Sequence, residues 1–384
     1  MNVLVCPDSF KGSLKSTEAA SAIRNGLLAG FPRLCIAEKP LADGGEGTVE
    51  ATVKACGGKL IEDEVTGPLW KKVRALMGIL PDGTCVLELA QAAGLVLVPE
   101  KQRNPRHTTT YGVGELLKKA LERGYRRIIL GVGGSATCDG GMGALRALGA
   151  RFFDEKGREL SGTGEDLPRI ATISVDHLLR PPQGVELIIA SDVQNPLYGP
   201  LGAAYVYAPQ KGAGPEDVRF LDEGLQHFAA MVRQFLGVAV DDLLGGGAAG
   251  GIVAGLWAFL KARVTSGIRL IAELIGLEEA IASSQLVVSG EGKIDRQTFF
   301  GKTISGVLEL CTKHEKPLLV LAGTIAWEEL PPLPENIAGL FSIVSGPLSE
   351  QEAMERADFL LEKTSFSVGR MLARLSRLGP CPAS

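Results

Sequence analysis

The sequence predicts an α/β protein of two α/β domains, one with a parallel sheet built from both chain ends and the other inserted, with a mixed sheet. Three observations carry this. The chain opens with a strand–helix–strand–helix rhythm, which predicts a parallel sheet with helices on its faces. Near residue 60 the rhythm gives way to alternating runs separated by Gly-Pro and Pro-Asp-Gly, which read as antiparallel hairpins. From Gln285 the opening style resumes. The expected boundaries are residues 1–60 and 284–384 for the first domain and 61–283 for the insertion. A chain of 384 residues is long for a single core, which agrees with two domains.

The elements follow in order. "NVLVCPD" is a short apolar run stopped at Pro7-Asp8 and reads as a buried strand. In "STEAASAIRNGLLAGFP", Ala19, Ala22, Ile23, Leu27 and Leu28 share a helical face, Ser16 is the expected N-cap, and Pro32 follows the end. "CIAEKPLADGG" offers a second strand, and "TVEATVKACGG" a helix stopped by Gly57-Gly58. The hairpin region is "KLIEDEVTGPLWKKVRALMGILPDGTCVLELA" (59–90). Beyond it, "TTTYGVGELLKKALERG" is helical, "YRRIILGVGGSAT" is a strand running into a glycine-rich turn, and "DGGMGALRALGA" opens a helix. "VELIIASDV" (185–193) is a strand with Asp192 at its carboxyl end. "PEDVRFLDEGLQHFAAMVRQFLG" and "GIRLIAELIGLEEAIAS" are helices by their apolar spacing. After Gln285 come "QLVVSGEG", a strand into a loop, the helix "KTISGVLELCTKHEK", the strands "PLLVLAG" and "AGLFSIVSG", and a closing helix, "SEQEAMERADFLLEKTSFSVGRMLARL".

Composition excludes several classes. The net charge is −4, aromatics are 5%, and no Lys/Arg block has the density of a nucleic-acid footprint. Seven scattered cysteines without a C-x-x-C, behind an N-terminus with no secretion leader, predict reduced thiols in a cytoplasmic protein. The four histidines share no ligand-like spacing, so no zinc site is expected. "LLGGGAAGGIVAGLWAFL" (243–260) is uncharged, but its glycines crowd the first half. It reads as a glycine-rich loop leading into a buried helix, not as the ~20 strongly apolar residues of a membrane span.

Six loops hold the candidate chemistry: "PDSFKGSL" (7–14), "LADGGEGT" (41–48), "GVGGSATCDGG" (131–141), "SDVQNPL" (191–197), "PQKGAG" (209–214) and "SGEGKIDRQTFFGKT" (289–303). Most follow an expected strand, where open α/β sheets bind ligands. Glycine turns bare backbone amides to an anion, yet Asp8, Asp43, Glu46, Asp139, Asp192, Glu291 and Asp295 stand in these same turns. Taken singly, each carboxylate is best read as solvated or as a helix cap. As a set they make sense if Mg²⁺ lies between them and a phosphate, and one of them could take a proton from an attacking hydroxyl. Lys11, Lys211, Lys293 and Lys302 share the loops and would neutralise phosphate or hold an anionic substrate.

Two familiar motifs fail. The strict phosphate loop is absent, because Arg296 stands where its first glycine belongs before Gly301-Lys302-Thr303. "GGSAT" is not a nucleophile elbow. Gly131-x-Gly133-x-x-Ala136 with Asp154 loosely matches a dinucleotide fingerprint, which leaves a nucleotide-dependent oxidoreductase as one alternative and a non-catalytic sugar-acid-binding protein as another.

"CPDSFKGSLKSTEAA", "LADGGEGT", "VTGPL", "GVGGSATCDGGMGAL", "SDVQNPLYGPLGAA", "PQKGA", "GGGAAGGI" and "SGEGKIDRQTFFGK" together resemble the bacterial class I glycerate kinases, from the first strand to about Gly323. The resemblance implies ATP-dependent phosphorylation of D-glycerate with Mg²⁺, usually to 2-phosphoglycerate. It also implies a flavodoxin-like domain built from both chain ends, an inserted domain, and an active site in the cleft between them. ATP and D-glycerate are the expected partners, with no nucleic acid and no membrane. Departures are few: Cys138 stands where the family usually has Asn, Phe300 where it has Tyr or His, and "LLGGGAAGG" replaces "GAGAAGG".

On this reading Asp192 is the base or metal anchor, because it ends a buried strand. Asp43 and Glu46 are Mg²⁺ or substrate contacts, and Asp295 is a further metal candidate. Lys11 and Lys293 hold the glycerate carboxylate or the moving phosphate. Gly133, Gly134, Ser135 and Thr137 supply hydrogen bonds to an anion. Asp8, Ser9, Gly44, Gly45, Asn195, Lys211, Gly290, Glu291 and Gly292 complete the expected binding set.

Overall fold

The computed structural model describes residues 1–42, 44–299 and 303–376. These form thirteen strands: β1 (Asn2–Val5), β2 (Cys35–Glu38), β3 (Lys59–Thr66), β4 (Lys72–Ile79), β5 (Cys85–Glu88), β6 (Arg127–Gly131), β7 (Arg151–Phe153), β8 (Thr172–Ser174), β9 (Glu186–Ala190), β10 (Arg263–Thr265), β11 (Leu286–Ile294), β12 (Leu318–Ile325) and β13 (Ile337–Ser342). The chain divides into two compact units. The first comprises Met1–Ala42, Glu50–Cys56 and the residues from Ile268 onward, and the second Asp43–Val49 and Gly57–Gly267.

The first unit is built on a five-stranded sheet in the order β13-β12-β11-β1-β2 with every pairing parallel. Counted within the unit this is 2-1-3-4-5, the flavodoxin-like order, whose switch point lies between β1 and β11. Its strands read as continuous apolar runs because both faces are buried. Val3, Val5, Leu286 and Val288 enter one core with Ile23, Leu27, Leu360 and Leu361 of the helices Ser16–Gly30 and Ala357–Leu375. Leu4, Cys6 and Val287 alternate into the opposite core with Ile304 and Val307 of the helix Thr303–Lys313.

The helices from Gly267 to Ser283 differ from the sequence expectation, which closed the insertion at residue 283. They pack with the first unit, because Ile271, Ile275, Leu277 and Ile281 bury against Leu4 and Val287. Each such side chain contributes roughly 1.5–3 kcal/mol of burial. The stretch is also two helices, Gly267–Leu274 and Leu277–Ser283, separated at Gly276 in a left-handed conformation. The closing helix is likewise two, Glu350–Glu355 and Ala357–Leu375, parted at Arg356.

The second unit holds a six-stranded mixed sheet, β10-β9-β6-β5-β4-β3. β10, β9, β6 and β5 run parallel, and the β3–β4–β5 hairpins are antiparallel. A separate two-stranded ribbon pairs β7 with β8. The uncharged stretch 243–260 is a turn leading into the buried helix Ala248–Leu260, whose start is broken by non-helical backbone at Ala249, Gly250 and Gly251. Among the described residues no helix is long and apolar enough to cross a membrane.

Candidate active site

In the second unit the glycine turns converge at the carboxyl ends of the parallel strands. β6 ends at Gly131, and the Gly133 amide donates to the Gly44 carbonyl at 3.0 Å. This joins "LADGGEGT" to "GVGGSAT". Only glycine permits the approach: a Cβ on Gly131 would lie 2.5 Å from the Gly44 oxygen, and one on Gly133 would collide with the Gly45 Cα. A Cβ on Gly44 would in turn meet the Ala190 carbonyl at the end of β9, at 2.9 Å. Asp192, two residues past β9, therefore shares this corner with the Gly44 turn. Glu46 in that turn is exposed. Asp43 lies outside the described residues.

Asp192 is exposed, and its Oδ1 accepts from Ser266 Oγ at 2.6 Å and from the Gly267 amide at 3.1 Å. It thus caps the helix that begins at Gly267. Asn195 is engaged in its own loop, donating from Nδ2 to the Leu201 carbonyl (2.8 Å) and accepting from Tyr207 Oη (2.6 Å).

Lys211 is buried, and its ammonium donates to Ser135 Oγ at 2.8 Å and to the Thr137 carbonyl at 2.7 Å. Burial pulls its pKa down to about 8, opposed by Cys138 and Asp139. Gly134 stands exposed and Gly133 half-buried on the same turn. Asp139 is fully buried. Its carboxylate accepts from the Thr110 amide and hydroxyl, both at 2.8 Å, and from the amides of Gly141 (3.1 Å) and Gly143 (3.3 Å). Burial pushes its pKa up, and the four donors pull it back. Asp139 therefore shapes the turn from within. Cys138 is also a core residue, with burial pushing its thiol up to about 12, so the departure from Asn sits in packing.

In the first unit the second group of loops meets at the β1/β11 switch point. The Asp8 amide donates to the Gly290 carbonyl at 2.8 Å. Asp8 Oδ1 accepts from the Ser9 amide (2.6 Å) and Oδ2 from Thr303 Oγ1 (2.5 Å), tying the turn after β1 to the start of the helix Thr303–Lys313. "SGEGKI" proves to be strand where a loop was expected. β11 runs on to Ile294, with Glu291 opposite Ala322 and Lys293 opposite Thr324 on β12. Gly290 and Gly292 make room on one face of it: a Cβ on Gly290 would lie 3.3 Å from the Phe10 ring and one on Gly292 3.3 Å from the Lys11 amide. Lys11 and Lys293 are exposed, and Lys293 pairs with Asp295 at 3.5 Å. Phe300 and Lys302 lie outside the described residues.

Sequence reasoning missed Glu88, at the carboxyl end of β5. It is fully buried, pairs in register with Gly131, and accepts from the Val49 amide at 3.3 Å, beneath the Gly44 turn. The available signal was a lone carboxylate inside the apolar run "VLELA". The loose dinucleotide fingerprint dissolves. The helix after Gly131 starts only at Met142, and Asp154 is taken up by the amides of Lys156 and Arg158 and the Arg158 guanidinium.

The class that this fold and these turns define is the α/β phosphotransferase. The model of the glycerate kinase family matches residues 3–373. The chain is 43% identical over 366 residues to the glycerate kinase of Bacillus subtilis (strain 168), covering 95% of this chain and 96% of that one. It is 40% identical over 374 residues to the glycerate 2-kinase of Escherichia coli (strain K12), covering 97% and 98%. A crystal structure of a candidate glycerate kinase 2 from Salmonella typhimurium LT2 superposes with a TM-score of 0.84 at 39% identity, over 98% of this chain and 100% of that chain. This chain belongs to the glycerate kinase family.

Proposed function

We propose that this chain phosphorylates D-glycerate from ATP and releases 2-phosphoglycerate. The observation that carries the reading is the Gly133–Gly44 hydrogen bond. It gathers an amide-rich turn and a carboxylate-bearing turn at one sheet end, beside Asp192.

Mg²⁺ takes hard oxygen ligands and needs only one or two protein carboxylates, with phosphate and water filling the rest of its octahedron. Among the described residues no group of three or more His, Cys, Asp or Glu forms a cage. Asp192 and Glu46 are exposed carboxylates near one corner, so the residues present fit an ion held jointly with a nucleotide. Asp192 would hold it, with Asp43 and Asp295 as further ligands. When bound, the ion neutralises charge on the transferring phosphate.

The protein's own residues supply orientation and charge. Asp192 is the candidate to orient or deprotonate the glycerate hydroxyl. Lys11 and Lys293 meet the glycerate carboxylate or the moving phosphate. The Gly134 amide, with the hydroxyls of Ser135 and Thr137, donates to an oxyanion, whereas the Gly133 amide, expected from the sequence to do the same, is spent on the Gly44 carbonyl. Asp8 anchors the Lys11 turn, with Ser9, Gly290 and Gly292 shaping it; Glu291, between the two glycines on β11, is proposed to bind ligand from the other face of the strand, while Gly44, Gly45 and Asn195 shape the second turn group.

Incubation with ATP, Mg²⁺ and D-glycerate, read by NMR, tests this. Appearance of 2-phosphoglycerate is expected. Exclusive 3-phosphoglycerate overturns the regiochemistry, and no phosphoglycerate overturns the activity.

A further inference from the structure

Lys211 is the one lysine of the six loops that lies buried among the described residues, at 3% exposure. Its ammonium donates to Ser135 Oγ and to the Thr137 carbonyl. An ammonium carries protons and no lone pair, so Ser135 Oγ must be the acceptor in their bond. The Ser135 hydroxyl proton is thereby turned away from Lys211, and no described group accepts it. Thr137 Oγ1, fully buried in the same turn, also has no partner among the described residues. The turn thus holds one hydroxyl polarised by a buried cation and a second left unsatisfied, next to the exposed backbone of Gly134.

We propose that Lys211 is a positioning residue that does not touch ligand and that fixes Ser135 as a hydrogen-bond donor to an oxyanion, a carboxylate or phosphate, of the bound ligand. The inference rests on the reading of this turn as an anion site. It separates Lys211 from Lys11 and Lys293, whose side chains are exposed, Lys293 beside Asp295. The arrangement has a built-in limit. Above about pH 8 the buried amine loses its charge and gains a lone pair, so the Ser135 proton can turn inward. Cys138 and Asp139 are the titratable groups facing the amine, and both favour its charged form.

The test is a double-mutant cycle in the full-length protein, with KM measured separately for ATP and for D-glycerate. Ser135→Ala is expected to raise one of the two KM values about tenfold or more, as for a lost hydrogen bond to a charged group. The ligand affected identifies the oxyanion. Lys211→Met should raise the same KM, and the double variant should be no worse than Ser135→Ala alone. Additive losses mean that Lys211 meets ligand itself and overturn the proposal while leaving the anion site standing. Unchanged KM values in Ser135→Ala overturn the anion site as well. If Lys211→Met does not fold, the pH profile decides. The affected KM of the unmodified protein should climb as Lys211 loses its proton, near pH 8, and that of Ser135→Ala should not; parallel profiles across the pH at which lysine side-chain NMR shows Lys211 to titrate overturn the proposal.

Discussion

The Gly133 amide donates to the Gly44 carbonyl at 3.0 Å, so two turns distant in sequence are locked backbone to backbone. There is no space at that junction for a side chain, since a Cβ on Gly133 would run into the Gly45 Cα. Gly133→Ala is therefore expected to push the turns apart, costing about 1–3 kcal/mol of stability as an overpacked site does. The loss in kcat/KM should exceed that of a surface substitution such as Lys101→Ala. Urea unfolding and steady-state kinetics check both. Full activity in Gly133→Ala would show that the two turns need not touch for function.

Asp192 faces two demands. Its Oδ1 caps the helix beginning at Gly267 through Ser266 Oγ and the Gly267 amide, while the proposed chemistry needs its negative charge. Asn keeps an acceptor oxygen for both donors and removes the charge. Asp192→Asn is thus expected to hold its melting temperature and lose about 10²–10⁴-fold in kcat, the range of a lost general base. Near-normal turnover would leave Asp192 as a helix cap alone.

Asp139 belongs with the loop carboxylates by sequence, but it serves four buried donors, the amides of Gly141 and Gly143 just after it and the amide and hydroxyl of Thr110 far away in the chain. Asp139→Ala strands those donors in the core, where each unsatisfied group costs roughly 1–3 kcal/mol. A loss of at least ~3 kcal/mol in unfolding free energy is expected, with any activity loss following the folded fraction. A stable, inactive Asp139→Ala would instead put the carboxylate in the chemistry.

The fold was legible in the sequence where local pattern and tertiary role agree. The apolar runs of β1 and β11 are buried on both faces and read as parallel strands, and the Pro-Asp-Gly at residues 81–83 marks the β4–β5 hairpin. Boundaries failed where long-range packing decides. The helices from Gly267 to Ser283 follow their isoleucines to the first unit, and β11 keeps its strand through "GEGKI" because β12 pairs with it to the end. The turns were legible as a set, since glycine beside carboxylate repeats in several of them. What each carboxylate does was not. Asp139, Asp192 and Glu46 sit in similar loop sequence, yet one is buried among four donors, one caps a helix and one is exposed. Only partners distant in the chain separate them.

The buried ammonium of Lys211 has a consequence for stability opposite in sign to its effect on ligand. Burial holds its pKa at about 8 in the folded protein, against 10.5 for the ordinary side chain. Below pH 8 both folded and unfolded chains carry the proton, and the cost of burying the charge is fully present. Between pH 8 and 10.5 the unfolded chain binds more protons at this site, so the contribution of Lys211 to stability rises with pH. The unfolding free energy of the unmodified protein minus that of Lys211→Met should increase across that window, by at most about 1.4 kcal/mol per pH unit. Subtraction cancels the titration of the remaining lysines and tyrosines. A difference that stays flat from pH 8 to 10.5 would mean that the amine titrates as an ordinary lysine, and that its bond to Ser135 persists to much higher pH.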